Sequence, residues 1–558
     1  MLSDGSVRAR GPPQSLRPVI NARDVAPGTE IGCDLCVVGA GPAGIAIADR
    51  LRESGLTVVL VESGGFDPEL PTQRLFRGTN VGHDYYHLDA CRFRVFGGST
   101  NRWGGWCRPL ERVDFSKREW LPYSGWPITN DALVPYQADT AALFELTDAR
   151  FDFASWRDRL PAPFSLDDTD FESVFFQYSP ETNFGEAYRA RLLASSNVKI
   201  VIYANLTRIE LDADSRRVGR LWFSTLTGRT CSVVPKAVVL AAGGLENARL
   251  LLASDADRPT GIGNEHGNVG RFFQEHLHVP AGHLLVRRGA SSPRFYRKAA
   301  YNGVIVRGVI APTPAAQERH RLPATSIAIE TEGYNFGTPF LGWPPAVTFP
   351  PINAYRRYRT GRFREFAETL KRNAERASGL TTRLRTWQRA RAARAAGDAS
   401  PDERAYSVYF RSEQVPDPDS RVTLSRRRDA LGMPEITLDW RVNQTDIDAI
   451  TGWLAAFDRD VRSRRIGRVI APLPGWEREI IGGPHHIGTT RMSADARSGV
   501  VDEHCRVHSV ANLYVAGSSV FATGGYANPT FTLVALALRL ADTLRERLRE
   551  KSTIGSVP

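Results

Sequence analysis

Two adjacent histidines, His485 and His486, stand in the segment Pro484-His-His-Ile-Gly-Thr-Thr-Arg-Met492, and Asn528 precedes a proline in Gly524-Gly-Tyr-Ala-Asn528-Pro-Thr530. An imidazole that titrates near neutrality is suited to taking a proton from a hydroxyl and to hydrogen-bonding the oxygen left behind. If the run around them is extended, successive side chains point to opposite faces, so only one of the two histidines can face a shared site. Asn528 carries two readings. It is a polar partner for such a site, and it is also a favoured N-cap for the apolar helix that runs on to Leu540, with Pro529 in the first helical position. Other clusters compete. Glu275, His276 and His278 invite a metal reading. Ser518 and Ser519 lack the Gly-x-Ser-x-Gly setting of a nucleophile elbow.

The elements that must position these residues begin with a nucleotide-binding turn. Asp34 to Val38 reads as a short apolar strand, followed by Gly39-Ala-Gly41-Pro-Ala-Gly44 and a helical pattern to about Ser54. A second strand, Thr57 to Val61, ends at Glu62. Gly39 permits the tight turn, Gly41 lets backbone approach a pyrophosphate, and Gly44 lets helix pack on strand. The helix N-terminus then turns its positive end to the phosphates. Glu62 is placed to accept hydrogen bonds from ribose hydroxyls, which disfavours a 2'-phosphate and leaves NAD or FAD, a choice this motif does not make.

Four further segments bear on that choice. Phe96-Gly-Gly-Ser-Thr-Asn-Arg-Trp-Gly-Gly105 is too glycine-rich for a helix and suits backbone wrapped closely around a flat ligand. Ala237 to Ala241 reads as a buried strand ending in Ala242-Gly-Gly244, with a helix from Leu245 to Ala253. Asn512 to Ala516 is another strand, running into Gly517-Ser518-Ser519, and the Asn528 segment closes the pattern.

Together these segments resemble the glucose-methanol-choline (GMC) oxidoreductases, at both ends and in the middle of the chain. The resemblance implies an α/β protein: an FAD-binding Rossmann-like domain of the glutathione-reductase type, joined to an α+β substrate domain built on an antiparallel sheet. The FAD domain would comprise 31–130, 196–283 and 468–558, the substrate domain 131–195 and 284–467, with 1–30 an N-terminal arm. Arg421 to Ser425 and Glu435 to Val442 are read as strands of the substrate sheet. FAD would lie against Gly39, Gly41, Pro42, Ala43, Gly44, Glu62 and Ser63, and against Gly97, Gly98, Ser99 and Asn101. Leu206, Ala242, Gly243, Gly517, Ser518, Asn528, Pro529 and Thr530 would complete its surroundings.

Counted back from Gly488, the family's His-x-x-Gly-Thr pattern makes His485 the catalytic base by the flavin N5 edge, and its second catalytic position falls on Asn528. The implied reaction is hydride transfer from a CH–OH group of an alcohol, sugar or glycosylated small molecule to flavin, with oxygen, a quinone or a protein taking the electrons. The alternative is a lyase of the same fold that keeps FAD without net redox, as the hydroxynitrile lyases do. Members with covalent flavin carry a histidine in the stretch matching Ser99 to Trp103, where this chain has Asn101 and Arg102, so non-covalent FAD is expected. Glu246-Asn247-Ala248 replaces the family's usual Ser-Pro pair and, with Thr489-Thr-Arg-Met492, is closer to the pyranose-oxidising branch. Glu275 and His276 match the family's Gly-Arg-…-Asp-His segment, which speaks against a metal.

Composition limits the alternatives. A chain of 558 residues exceeds what one core sustains and predicts two joined domains. Six cysteines are scattered without a disulfide framework, and Cys33-x-x-Cys36 enters a strand with no second pair to make a zinc site. A reduced, cytoplasmic setting is expected. The first thirty residues hold no apolar run of signal-peptide length, and no stretch is long enough to span a bilayer. The formal charge of +11 suggests nucleic acid until it is located: +10 of it lies between Arg356 and Arg394. There Phe363, Phe366 and Leu370, then Leu380, Leu384 and Trp387, recur at helical spacing opposite a basic face. This basic helical insertion, 355–396, reads as a solvated surface or as a contact for anionic lipid or a partner; no nucleic-acid motif accompanies it.

Overall fold

A computed structural model describes residues 18–166, 168–180, 182–289, 292–330, 403–472 and 474–554, with backbone alone for 551–554. The basic insertion at 355–396 lies outside these residues.

The apolar runs of the nucleotide-binding segments assemble into an eight-stranded sheet in the order Val19–Asn21, Val198–Ile202, Val58–Val61, Thr29–Val38, Thr230–Leu240, Val218–Ser224, Asn205–Leu211, with Leu513–Val515 also paired to Thr230–Leu240. The strands from Val19–Asn21 to Thr230–Leu240, and Leu513–Val515, run parallel. Such strands are covered on both faces and read as continuous Val, Ile and Leu. Val38 pairs with both Val61 and Leu240, and Leu240 pairs with Val515. Four strands therefore end at one level, and the residues that follow them share one edge, where open α/β sheets bind ligands. Val19–Asn21, in the stretch expected as an arm, is an edge strand of this sheet.

Helix Pro42–Leu51 leaves the first of those strand ends and packs along the long helix Pro529–Ile554. Both helices start with proline at the same edge of the sheet. No helix of the described residues is long and apolar enough to cross a membrane.

The second sheet is antiparallel throughout, in the order Gly467–Ile470, His276–Arg287, Glu403–Glu413, Thr325–Glu330, Val304–Pro312, Phe171–Tyr178, Trp106–Cys107. Its alternation separates two surfaces. Leu277, Val279, Phe175, Ile327 and Phe410 face a core shared with Ile450, Trp453 and Phe457 of the amphipathic helix Gln444–Ser463. Val174, Val309 and Ala328 face the nucleotide-binding core. His276 and His278, alternating with Leu277 and Val279, lie on that second surface, opposite Glu413 and Arg411 of the neighbouring strand.

One expectation is corrected. Arg421–Arg428 and Pro434–Asp439 form a hairpin, but it is no part of the large sheet: it makes a separate three-stranded sheet with Gly78–Asn80. Gly78 permits this approach, since a Cβ there would lie 2.6 Å from the Ile436 carbonyl oxygen. The turn-rich sequence between the two strands specifies their pairing with each other, not which sheet they join.

Candidate active site

The parallel strands open onto a cleft enclosing about 1300 Å³ of empty space, part of it open to solvent. Gly39, Gly41, Pro42 and Ala43 form one wall, with Glu62 and Ser63 beside them. Gly98 and Ser99 close it from the glycine-rich loop. Leu206, Ala242 and Gly243 border it from the middle of the chain, and Gly517, Ser518, Pro529 and Thr530 from the C-terminal part.

Four of the expected residues, Gly44, Gly97, Asn101 and Asn528, do not line the cleft, and the first three act behind its wall. Gly44 packs so tightly under the turn that a Cβ would sit 1.9 Å from the Gly39 carbonyl oxygen. Gly97 adopts φ +96° against Gly185. Asn101 ties the loop together, its Nδ2 donating to the carbonyls of Phe96 at 3.1 Å and Gly98 at 2.8 Å, while its Oδ1 accepts from Asn183.

This lining suits a dinucleotide. A Cβ added at Gly41, Gly243 or Gly517 would meet nothing within 4 Å, so at three points bare backbone faces the space a pyrophosphate or flat ring needs. Two helix N-termini, at Pro42 and Pro529, point into it and favour negative charge. Glu62 is buried, its carboxylate oxygens held by the N–H groups of Ala40 at 2.9 Å and Gly64 at 2.8 Å. A carboxylate has about four acceptor positions, which leaves Glu62 capacity toward ribose hydroxyls.

Arg92, Arg94 and Glu246, which the sequence reading did not assign to the cleft, also border it. Glu246 bridges Arg92 at 3.3 Å, Arg94 at 2.5 Å and Arg249 at 3.0 Å. Burial alone would raise its carboxyl, but the three guanidiniums outweigh burial and hold it at about 2.

At the far end of the cleft the two histidines part. His486 packs among Tyr85, Phe273 and Cys91, and burial pushes its imidazole down to about 3. His485 turns toward Asn528, with Nε2 3.0 Å from the Asn528 Nδ2. On its other side, His485 Nδ1 lies 2.8 Å from His276 Nδ1, and His276 Nε2 lies 3.2 Å from the Gly524 carbonyl oxygen. Among the described residues, the hydrogen bond of the Asn528 side chain is this one to His485, so the amide is turned from the helix start it was expected to cap.

The chain segment bearing His485 is anchored by Glu275. This buried carboxylate accepts the N–H of His485 at 2.9 Å and of Gly483 at 3.0 Å, together with the Tyr85 hydroxyl. Burial raises it to about 7 despite these donors. The same desolvation lowers His276 to about 4 and pushes His485 well below the usual histidine range, so both imidazoles are neutral at neutral pH. Glu275 and His276 were legible only as a family segment and a rejected metal cluster. Their contact with His485 depends on the pairing of distant segments.

Comparison with known proteins agrees with this geometry. A family model described as FAD dependent oxidoreductase matches residues 34–401, and a model of the GMC oxidoreductase C-terminal part matches residues 416–537. The chain belongs to the GMC oxidoreductases. It is thus an FAD-dependent oxidoreductase, and the α/β fold with its antiparallel substrate-side sheet is that of the family. Among characterised relatives, a 2-methyl-1,2-propanediol dehydrogenase of Mycolicibacterium austroafricanum is 24% identical over 93% of this chain and 96% of its own. A paromamine 6'-oxidase of Streptomyces fradiae is 23% identical over 93% and 92%. An FAD-dependent oxidoreductase from Chaetomium thermophilum shares the fold, with a TM-score of 0.53 at 16% identity over 93% of this chain and all of its own.

Proposed function

We propose that this GMC oxidoreductase oxidises a CH–OH group of a polyol, sugar or glycosylated small molecule, with His485 as the base and Asn528 as its hydrogen-bonding partner. The observation that carries the reading is the 3.0 Å approach of Asn528 Nδ2 to His485 Nε2 at the edge of the nucleotide-binding cleft. Bound FAD supplies the acceptor for the hydride that leaves the carbon. The protein's part is to take the hydroxyl proton at His485 Nε2, because a developing alkoxide makes the carbon a better hydride donor. Asn528 has two amide hydrogens; without substrate one meets Nε2, and when the substrate hydroxyl takes its place at that single lone pair the amide donates to the substrate oxygen instead. The N-terminus of helix Pro529–Ile554 beside it favours negative charge in the same place. The substrate class follows the relatives named above, one a 2-methyl-1,2-propanediol dehydrogenase and one a paromamine 6'-oxidase. Anaerobic addition of alcohols and sugars tests the reading. A true substrate bleaches the flavin absorbance, and product formation with unchanged absorbance would replace oxidation by a lyase reaction.

Two predictions follow from the site. Asn528→Ala is expected to slow flavin reduction by about two to three orders of magnitude, the lower part of the range for groups that assist a positioned proton transfer. It should lower stability by less than the ~1 kcal/mol typical of a lost N-cap, since its amide is directed to His485. Stopped-flow reduction and denaturant melts measure the two effects separately, and a full cap-sized loss of stability with normal reduction would reverse the assignment.

The second concerns attachment. Asn101 and Arg102 stand in the stretch where members with covalent flavin carry a histidine, which supports FAD held without a covalent bond. Acid precipitation should release all the yellow colour into the supernatant; colour kept by the pellet would mean covalent flavin. We also propose the domain division 31–130, 196–283 and 468–558 against 131–195 and 284–467, and a cytoplasmic setting, which six buried, unpaired cysteines support. Oxygen, a quinone or a protein serves as electron acceptor.

A further inference from the structure

The hydrogen-bond chain behind His485 has a direction that its end fixes. A carbonyl oxygen only accepts, so the 3.2 Å contact to Gly524 requires the His276 proton to reside on Nε2. A neutral His276 then offers a lone pair at Nδ1, and the 2.8 Å contact there requires His485 to carry its proton on Nδ1. His485 Nε2 is left unprotonated, facing the Asn528 amide, which donates to it. Each donor meets one acceptor, and reversing the His485 tautomer would set N–H against N–H at Asn528 and lone pair against lone pair at His276.

We propose that His276 is the positioning partner of the base: it accepts the Nδ1 proton of His485 and thereby holds the Nε2 lone pair toward Asn528 and the substrate hydroxyl. The assignment rests on the reading of His485 as the base. A histidine thus takes the part that a carboxylate plays behind other catalytic imidazoles, with the difference that it brings no charge of its own.

The surrounding structure fixes the far end of this chain. His276 stands opposite Glu413 in the large sheet. Glu413 is buried in an ion pair with Arg118 at 2.7 Å and accepts the Gly525 N–H at 3.1 Å. That bond holds the peptide following Gly524, so the carbonyl that orients His276 is itself anchored. When Nε2 takes the hydroxyl proton, an O–H bond gives way to an N–H bond, and the His485 cation keeps an acceptor at Nδ1; Glu413 favours positive charge on His276, against Arg411, which disfavours it on both rings.

The test is nitrogen NMR of the oxidised holoenzyme labelled with ¹⁵N-histidine, with His485 identified by the signals lost in His485→Gln. In the wild type, Nδ1 of His485 should be protonated and Nε2 bare. His276→Leu should scatter this tautomer and slow anaerobic flavin reduction by at least about tenfold, the scale seen when a group orienting an imidazole is removed. His276→Asn, which keeps an acceptor near the Nδ1 position, should restore most of the rate. A proton on Nε2 in the wild type, or an unchanged tautomer in His276→Leu, overturns the proposal, and the wild-type spectrum decides even if the leucine variant does not fold. If His485→Ala reduces flavin normally, the base reading itself fails. If His485→Ala is crippled while His276→Leu is near normal, the positioning role alone falls.

Discussion

Replacing His485 by alanine is expected to slow flavin reduction by about two to four orders of magnitude, the usual worth of a positioned general base, with FAD still bound. Cofactor and base are separable because they rest on different parts of the chain. On the proposed reading the pyrophosphate and ribose would be held by the Gly39 to Glu62 unit, with Gly243 and Gly517 also bordering the cleft, and none of these depends on the His485 ring. His486→Ala is the internal control. Its ring packs among Tyr85, Phe273 and Cys91 and has no bond to Asn528, so the variant should lose stability through a cavity and keep most of its reduction rate. Single-turnover stopped-flow under nitrogen, with flavin content measured on each variant, distinguishes the two. A crippled His486 variant beside a near-normal His485 variant would mean that the site is one residue out of register.

Removing the Glu246 carboxylate should give the largest loss of stability from any single change at the cleft. Glu246 is surrounded by Arg92, Arg94 and Arg249, and among the described residues Arg249 alone of the three has a second carboxylate, Asp429 at 2.6 Å. In Glu246→Ala the guanidiniums of Arg92 and Arg94 stay buried without a counter-charge, and breaking such a pair from one side costs about 3–5 kcal/mol. Because these residues also border the cleft, the loss should appear both as a lower melting temperature and as FAD that dissociates during gel filtration. Acid behaviour offers a second measurement. The carboxyl falls from its ordinary 4.5 to about 2 in the folded protein, so its stabilisation is complete above the ordinary value and is lost as pH falls through about 2. That acid limb should shrink in the variant. A Glu246→Ala protein with wild-type melting and flavin retention would show that the cluster is compensated elsewhere.

Much of the fold was legible because its signals are local. A strand, a tight turn and a helix written in contiguous residues dictate their own geometry, so Asp34 to Glu62 could be read directly, and its strands and helix ends differ from expectation by a few residues. The expected strand at Asp34 begins earlier, at Thr29, and the helix ends at Leu51 instead of about Ser54. The hairpin at 421–439 shows the limit. Its two strands were recognised from their turn, but their attachment to Gly78–Asn80 rests on the pairing of Ile436 with Gly78, 358 positions away in sequence.

The sequence by itself determined the nucleotide-binding turn, the acid that ends the second strand, the family, and the candidacy of His485 and Asn528, because each is a property of residue type and short-range spacing. Only the tertiary structure decided which histidine meets Asn528 and that His276 stands behind it. His276 and His485 are 209 positions apart and come together because antiparallel alternation turns His276 away from the Leu277 core, while Glu275 clamps the backbone of the segment that carries His485. Those outcomes depend on register between distant strands, where a shift of one residue would have sent each side chain to the other face.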